Sequence, residues 1–142
     1  MDENAISKRV ISAAIEVHKH LGPSLPESVY QQCMVRALRI QDTAVETELL
    51  LKGEYKGLCF DIDYRMDMLV GQKVVVELKV VESLLPVHKA QLLSYMKLSG
   101  IKLGLLINLM RLWCKTVLSE LLINCSALRP RRLCAFGLDI KC

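Results

Sequence analysis

Three consecutive valines, Val74-Val75-Val76, run directly into Glu77-Leu78-Lys79, and no other stretch of the chain narrows the fold as far. A short continuous apolar run reads as a strand covered on both faces, as in the middle of an α/β sheet. Side chains alternate along a strand, so Glu77 and Lys79 share one face. Charges in such a strand demand partners or a metal, because a buried, uncompensated charge is costly. Upstream, Gly71-Gln72 is a hairpin signal, and the hairpin brings Asp67 back beside the strand. The register of that hairpin decides which face the acids share. A two-residue loop at Gly71-Gln72 pairs Asp67 with Val76 and turns Glu77 to the opposite face. A three-residue loop, Gly71-Gln72-Lys73, sets Asp67 opposite Glu77. With that odd loop, or with a bulge or bend near Asp67, the two carboxylates can chelate one hard cation such as Mg²⁺. Lys79 is placed to orient a water and offset charge on an attacked phosphate. The bland alternative is an exposed Glu–Lys pair on a solvated strand face.

Around this segment the pattern predicts alternating elements. Ile6, Val10, Ala13, Ala14, Val17 and Leu21 recur at helical spacing over residues 4–21, and Gly22 stops the helix. Gly22-Pro23-Ser24-Leu25-Pro26 is a turn, with Pro26 opening a second helix that runs to about Arg39. Val29, Cys33, Ala37 and Ile40 mark its apolar side. Strands are predicted at residues 44–51, 58–62, 64–70 and 73–81, with Gly53 and Gly57 bracketing a turn. A third helix spans residues 86–100, with Val87, Ala90, Leu92 or Leu93, and Leu98 inward, before a buried strand at 101–107. Hairpins followed by a helical crossover and a last strand argue for an α/β or α+β sandwich.

The helices carry further candidates. Glu27 lies in the first turn of the second helix, where a carboxylate also simply complements the helix dipole. Gln91 and Tyr95 are four apart and share one face of the third helix. His88 lies one turn before Gln91, within reach of the same site. Tyr30 reads either as a site residue or as a core residue with a satisfied hydroxyl. His18 and His20, two apart on a helix, point different ways and read as surface groups.

Composition bounds the partners. The 142 residues suffice for one domain. Residues 1–108 carry 13 Lys and Arg against 13 Asp and Glu, so the net charge of +4 arises wholly in the remainder. A phosphate-binding face on the body is therefore local. One Trp, two Phe and four Tyr are too few for an extended base-stacking platform. The polar opening Met1-Asp2-Glu3-Asn4 is unlike a secretory leader. No apolar run approaches the ~20 residues that cross a bilayer, so a cytoplasmic location and no membrane partner are expected. None of the six cysteines forms a C-x-x-C pair, leaving a zinc ribbon or redox motif unsupported. No nucleophile triad or phosphate-cradling Gly loop is visible either.

Five runs in order resemble one family. They are G-x-x-x-x-E-x-x-Y at residues 22–30, R-M-D-M-L-V at 65–70, V-E-L-K at 76–79, H-K-A-Q-L-L-S-Y at 88–95 and L-G-L-L-I-N at 103–108. Together they resemble the GxxExxY protein family, which looks like a branch of the PD-(D/E)XK nuclease superfamily. The resemblance implies an α/β, restriction-endonuclease-like core: a mixed four- to five-stranded sheet flanked by helices. It implies metal-dependent hydrolysis of phosphodiester bonds in DNA, ahead of RNA, with Mg²⁺ or Mn²⁺. Asp67 and Glu77 match the superfamily's metal-binding acids, Glu77 and Lys79 its E-x-K, and Glu27 the additional acid from the first core helix. Gln91 and Tyr95 are similar to a Q-x-x-x-Y signature that contacts substrate near the metal, and Tyr30 and His88 join them as substrate-positioning groups. The alternative on the same fold is a catalytically inactive module that binds nucleic acid or protein. Oligomeric state stays open, a homodimer included.

The resemblance ends at Asn108. Residues 1–108 are expected to form the nuclease-like domain and residues 109–142 an atypical tail rich in Leu, Cys and Arg, with Arg129-Pro130-Arg131-Arg132 near its end. A back-translation of residues 110–124 shifted by one base can encode a polar, Gly-containing ending like the family's own, which suggests a frameshift near residue 109. Rival readings are a terminal helix with Leu109, Trp113, Val117 and Leu121 on one face, and a basic nucleic-acid-binding tail.

Overall fold

In a computed structural model the chain is described over residues 1–110 and 122–124. Helix α1 is Glu3–Leu21, opened by the Asp2 carboxylate accepting from the Ala5 N–H at 2.7 Å and closed by Gly22 at φ 74°. Helix α2 (Glu27–Ile40) follows a five-residue turn, and strands β1 (Val45–Tyr55), β2 (Leu58–Val70) and β3 (Val74–Lys79) come next. Helix α3 (Pro86–Ser99) then leads to β4 (Leu103–Asn108), and β5 (Leu122–Asn124) adds a short final strand.

The five strands lie in the order β1-β2-β3-β4-β5. β3 and β4 are parallel, and every other neighbouring pair is antiparallel. A parallel pair needs a crossover, and α3 supplies it. The result is the mixed, helix-flanked α/β sheet that the sequence predicts. α1 and α2 cover one face, where Val10, Ala14, Tyr30, Met34 and Leu38 pack on Val74, Val76, Leu78 and Leu105. α3 covers the other, where Leu92, Tyr95 and Met96 pack on Val75, Leu106, Leu51 and Met66. All of Val74, Val75, Val76 and Leu78 are fully buried, so β3 is the two-sided central strand its valines indicate.

Several expectations are corrected. The segments 58–62 and 64–70 form one strand, β2, because a bulge opposite Leu50 and Leu51 absorbs Asp63 and Tyr64 without ending the ladder. β1 continues through Gly53, and the turn is Lys56-Gly57 alone, both at positive φ (46° and 82°). Much of this ribbon is exposed, so no apolar alternation marks its length in sequence. The buried side of α2 is Tyr30, Met34 and Leu38, one residue round from the predicted stripe, and Ile40 is 67% exposed. On α3 the buried residues are Leu92, Tyr95 and Met96, while Val87 and Leu98 face outward. Apolar residues stand on several sides of α3, so spacing alone did not choose among them. His18 is buried rather than on the surface, carried inward beside Val17 by α1. Trp113, Val117 and Leu121 of the proposed terminal helix, and Arg129 to Arg132 of the basic segment, lie outside the described residues.

Candidate active site

The turn between β2 and β3 sets the geometry. Val70 pairs with Val74, so the loop is the three-residue one, Gly71-Gln72-Lys73. Gly71 and Gln72 are both left-handed (φ 58° and 56°), and the Lys73 N–H returns to the Val70 carbonyl at 3.1 Å. Lys73 is the extra residue that shifts the register by one. Continuing the pairing beyond Met68 and Val76 brings Asp67 level with Glu77.

There the ladder stops. The Leu78 N–H donates to the Asp67 Oδ2 at 2.9 Å instead of continuing into the sheet. On the other side of β2, Thr47 pairs with Met68 and Leu49 with Met66, but Glu48 and Asp67 between them do not pair. Glu48 sits at φ 54°. Both strands change face at this point. Val45 and Met68 belong to the core under α1 and α2, whereas Leu49, Leu51 and Met66 pack with α3. The sheet thus parts around Asp67, which leaves its carbonyl outside the β1–β2 ladder and gives its carboxylate the Leu78 N–H.

Glu77 follows Val75 on the α3 side of β3. It is 4% exposed. Lys79 stands 3.5 Å from its Oε1, and among the described residues its Oε2 is buried without a hydrogen-bond partner. Burial first, then the negative charge of Asp67, pushes the Glu77 carboxyl up to about 8, against the opposing pull of Lys79. Burial likewise raises Asp67, while the Leu78 N–H and Lys79 hold it back. Glu27, the first residue of α2, enters from the other layer. Its carboxyl is raised by burial, then by Asp67, with Lys79 opposing. Tyr95 joins from α3: burial and the charges of Glu77 and Asp67 raise its phenol, so it stays an O–H donor. The backbone beyond Lys79 is pinned by the Leu109 N–H on the Lys79 carbonyl at 2.8 Å. The Asn108 amide adds bonds to the N–H (3.2 Å) and carbonyl (2.7 Å) of Val81.

Five of the eight sequence-predicted residues therefore converge: Glu27, Asp67, Glu77, Lys79 and Tyr95. Gln91 is half-buried one turn before Tyr95 on the same face of α3. His88 spends its Nδ1 accepting the Leu85 N–H at 3.0 Å, closing the start of α3, which leaves Nε2 alone for other work. Tyr30 is the core residue of the second reading. It is fully buried, its hydroxyl donates to the Gly22 carbonyl, and it accepts from the Leu25 N–H at 3.3 Å. Both capacities serve the turn into α2.

Two residues escaped the sequence reading. Glu48 adds its charge to Asp67 and Glu27. Gln31 donates from Nε2 to the Glu48 Oε1 at 3.0 Å and to the Asp67 carbonyl at 2.8 Å. Gln31 had a signal, being one turn after Glu27 on the same face of α2. Glu48 had none, because Val45, Thr47, Leu49 and Leu51 alternate without a break.

The donors fit a hard divalent cation: carboxylate oxygens, raised pKa values, and one buried oxygen lacking a partner. Among the described residues no group of three or more His, Cys, Asp and Glu is arranged so that it could hold a metal ion. Mg²⁺ is ordinarily held by one or two carboxylates with waters and substrate phosphates completing its shell, so an acidic pair suits it.

A family model described as the PD-(D/E)XK nuclease superfamily matches residues 4–118. The match runs past residue 108, where the sequence motifs end. No curated protein and no solved structure matches the chain.

Proposed function

The chain belongs to the PD-(D/E)XK nuclease superfamily, and from that premise we propose that it hydrolyses phosphodiester bonds in nucleic acid. In this reading Asp67 and Glu77 hold Mg²⁺ or Mn²⁺, and Glu27 supports them. The observation that carries it is Glu77: a buried carboxylate on a two-sided strand, paired through one oxygen with Lys79 and carrying an unpartnered second oxygen. A buried acid in that state is costly unless a cation or proton satisfies it.

When bound, the cation would supply charge neutralisation and activation of water. The chain's own groups do the rest. Lys79 brings its ammonium beside the acids, where it orients a water and meets the charge of a phosphate oxygen. Tyr95, held as a neutral phenol, keeps an O–H to offer a substrate oxygen. Gln91, on the same helical face, offers an amide to substrate, and the His88 Nε2 lies one turn away. Glu27, Asp67 and Glu77 confine this chemistry to the place where β2 and β3 part. DNA is the expected substrate ahead of RNA, in the cytoplasm, and the GxxExxY branch is the closer affiliation we assign. Among the described residues no helix is long and apolar enough to cross a membrane.

The test incubates single- and double-stranded DNA and RNA with the protein and Mn²⁺. Glu77→Ala and Lys79→Ala should each lower turnover by about a hundredfold or more. Cleavage that survives both substitutions marks a contaminant and ends the proposal. Tight nucleic-acid binding without turnover would establish the binding-module alternative instead.

A further inference from the structure

We propose that Gln31 is a positioning residue that sets where the Asp67 carboxylate stands, and that it does so by replacing the missing ladder contact between β1 and β2. The inference rests on the metal-site reading and goes beyond it, since Gln31 touches no reacting group.

Glu48 and Asp67 leave a gap in the ladder, unpaired between two properly paired positions. An unpaired backbone carbonyl inside a sheet needs another donor. The Asp67 carbonyl has one, the Gln31 amide at 2.8 Å. The same Nε2 also reaches the Glu48 carboxylate at 3.0 Å, and an amide nitrogen has two hydrogens to give. One side chain thereby ties α2 to both strands at the point where they change face. Its helix position matters too. Gln31 is one turn from Glu27, so the bond that holds Asp67 also fixes the distance from Asp67 to the acid on α2.

The consequence travels through Asp67 itself. Its carbonyl is held by Gln31 and its Oδ2 by the Leu78 N–H, so main chain and side chain are both anchored. Remove the first anchor and the second carries the whole constraint. The Glu48 side chain, on a left-handed residue, loses its partner at the same time and is free to turn away from or toward Asp67. Groups that orient ligating carboxylates typically change metal affinity or activity by about ten- to a hundredfold when removed.

The experiment compares the parent protein with Gln31→Leu, Gln31→Glu, Glu48→Ala and Glu77→Ala. Gln31→Leu removes the donor at similar bulk, and Gln31→Glu keeps the shape but replaces the donor with a charge that repels Glu48. Two readouts are taken on samples whose thermal unfolding is cooperative: Mn²⁺ affinity by calorimetry, and amide exchange of Leu78 relative to Val76 in the metal-free protein. In both Gln31 variants Leu78 should exchange at least tenfold faster while Val76 stays protected, and Mn²⁺ should bind about tenfold more weakly. The weakening should persist when Gln31→Leu is placed in the Glu48→Ala background, because the carbonyl contact acts independently of Glu48. Unchanged Leu78 exchange and unchanged Mn²⁺ affinity in a folded Gln31→Glu protein overturn the inference. If Glu77→Ala leaves Mn²⁺ binding intact, the metal-site reading fails, and the exchange data then decide the positioning of Asp67 alone.

Discussion

At the scale of single residues, Glu77 couples the site to pH. Its carboxyl stands at about 8 in the fold against an ordinary 4.5, so the folded protein holds a proton that the unfolded chain has released. A raised acid contributes stability that is complete below about 4.5 and is lost as pH climbs from there through about 8. Glu77→Gln cannot ionise and should remove most of that loss. Urea unfolding of the metal-free protein at pH 5, 7 and 9 checks this. The parent should weaken steadily with rising pH and Glu77→Gln much less, since only the raised Asp67 and Glu27 remain in it; parallel curves would contradict the assignment. The neighbours explain why the group sits so high. Asp67 adds repulsion, and Lys79 answers only one of the surrounding acids directly. In the proposed site a divalent cation would take the place of that proton, which would make its binding pH-dependent.

At the scale of elements, the β2–β3 loop converts a hairpin into a site. Deleting Gln72 would leave a two-residue connection. The register would then move Glu77 away from Asp67, since a one-residue slip sends side chains to the opposite face. The expected outcome is a folded protein or a destabilised one, but in either case no specific Mn²⁺ binding in calorimetry; retained binding would show that the register is not what pairs the acids. Packing of α3 is the second element-scale constraint. A Cβ at Gly104 would stand 2.6 Å from the Met96 Sδ and 3.0 Å from the Leu92 Cδ1, so the missing side chain lets α3 lie close on β4. Gly104→Val should cost about 1–3 kcal/mol by overpacking and displace Tyr95, seen as a lowered midpoint in chemical unfolding. An unchanged midpoint would mean that α3 yields freely. Both devices are visible in sequence only as glycines near hydrophobic runs. What they approach is settled by packing.

At the scale of the whole molecule, two cores meet on one sheet and the acids collect where that sheet parts. Glu27 comes from the layer under α1 and α2, Tyr95 from the opposite layer, and Asp67, Glu77 and Lys79 from strands between them. A ligand that joins them therefore ties both layers together. Binding to the folded state alone raises stability by mass action, and the gain should grow with pH as the proton leaves Glu77. Thermal unfolding with and without one fixed Mn²⁺ concentration, roughly 100 times the dissociation constant at pH 8.5 and so a gain of about 2.7 kcal/mol there, should show a larger midpoint rise at pH 8.5 than at pH 6. A rise that is equal at both, or larger at pH 6, would oppose the site. The segment after Asn108 belongs to this scale as well. Leu109 is buried and bonded to Lys79, and Leu122–Asn124 pairs with β4. We propose that residues 109–142 derive from a reading frame shifted near residue 109. The nucleotide sequence tests it: a neighbouring frame that encodes no polar, Gly-containing ending overturns the idea.

The amino-acid sequence by itself determined the elements with strong local signals. The amphipathic face of α1, the buried valines of β3 and the glycine-closed helix ends are written in periods of 3.6 and 2 and in residues that tolerate left-handed backbone. It also named the acids, because a Glu and a Lys interrupting a valine strand stand out against their neighbours. Tertiary structure alone decided which side of α2 and α3 faces inward, that Tyr30 serves a turn, and that β2 is a single strand. It also decided that Glu48 and Gln31 stand beside Asp67. The reason is range: periodicity records what one segment asks for, whereas the loop register, the unpaired position between β1 and β2, and the bond from Gln31 across 36 residues to Asp67 exist only once separate segments have chosen each other.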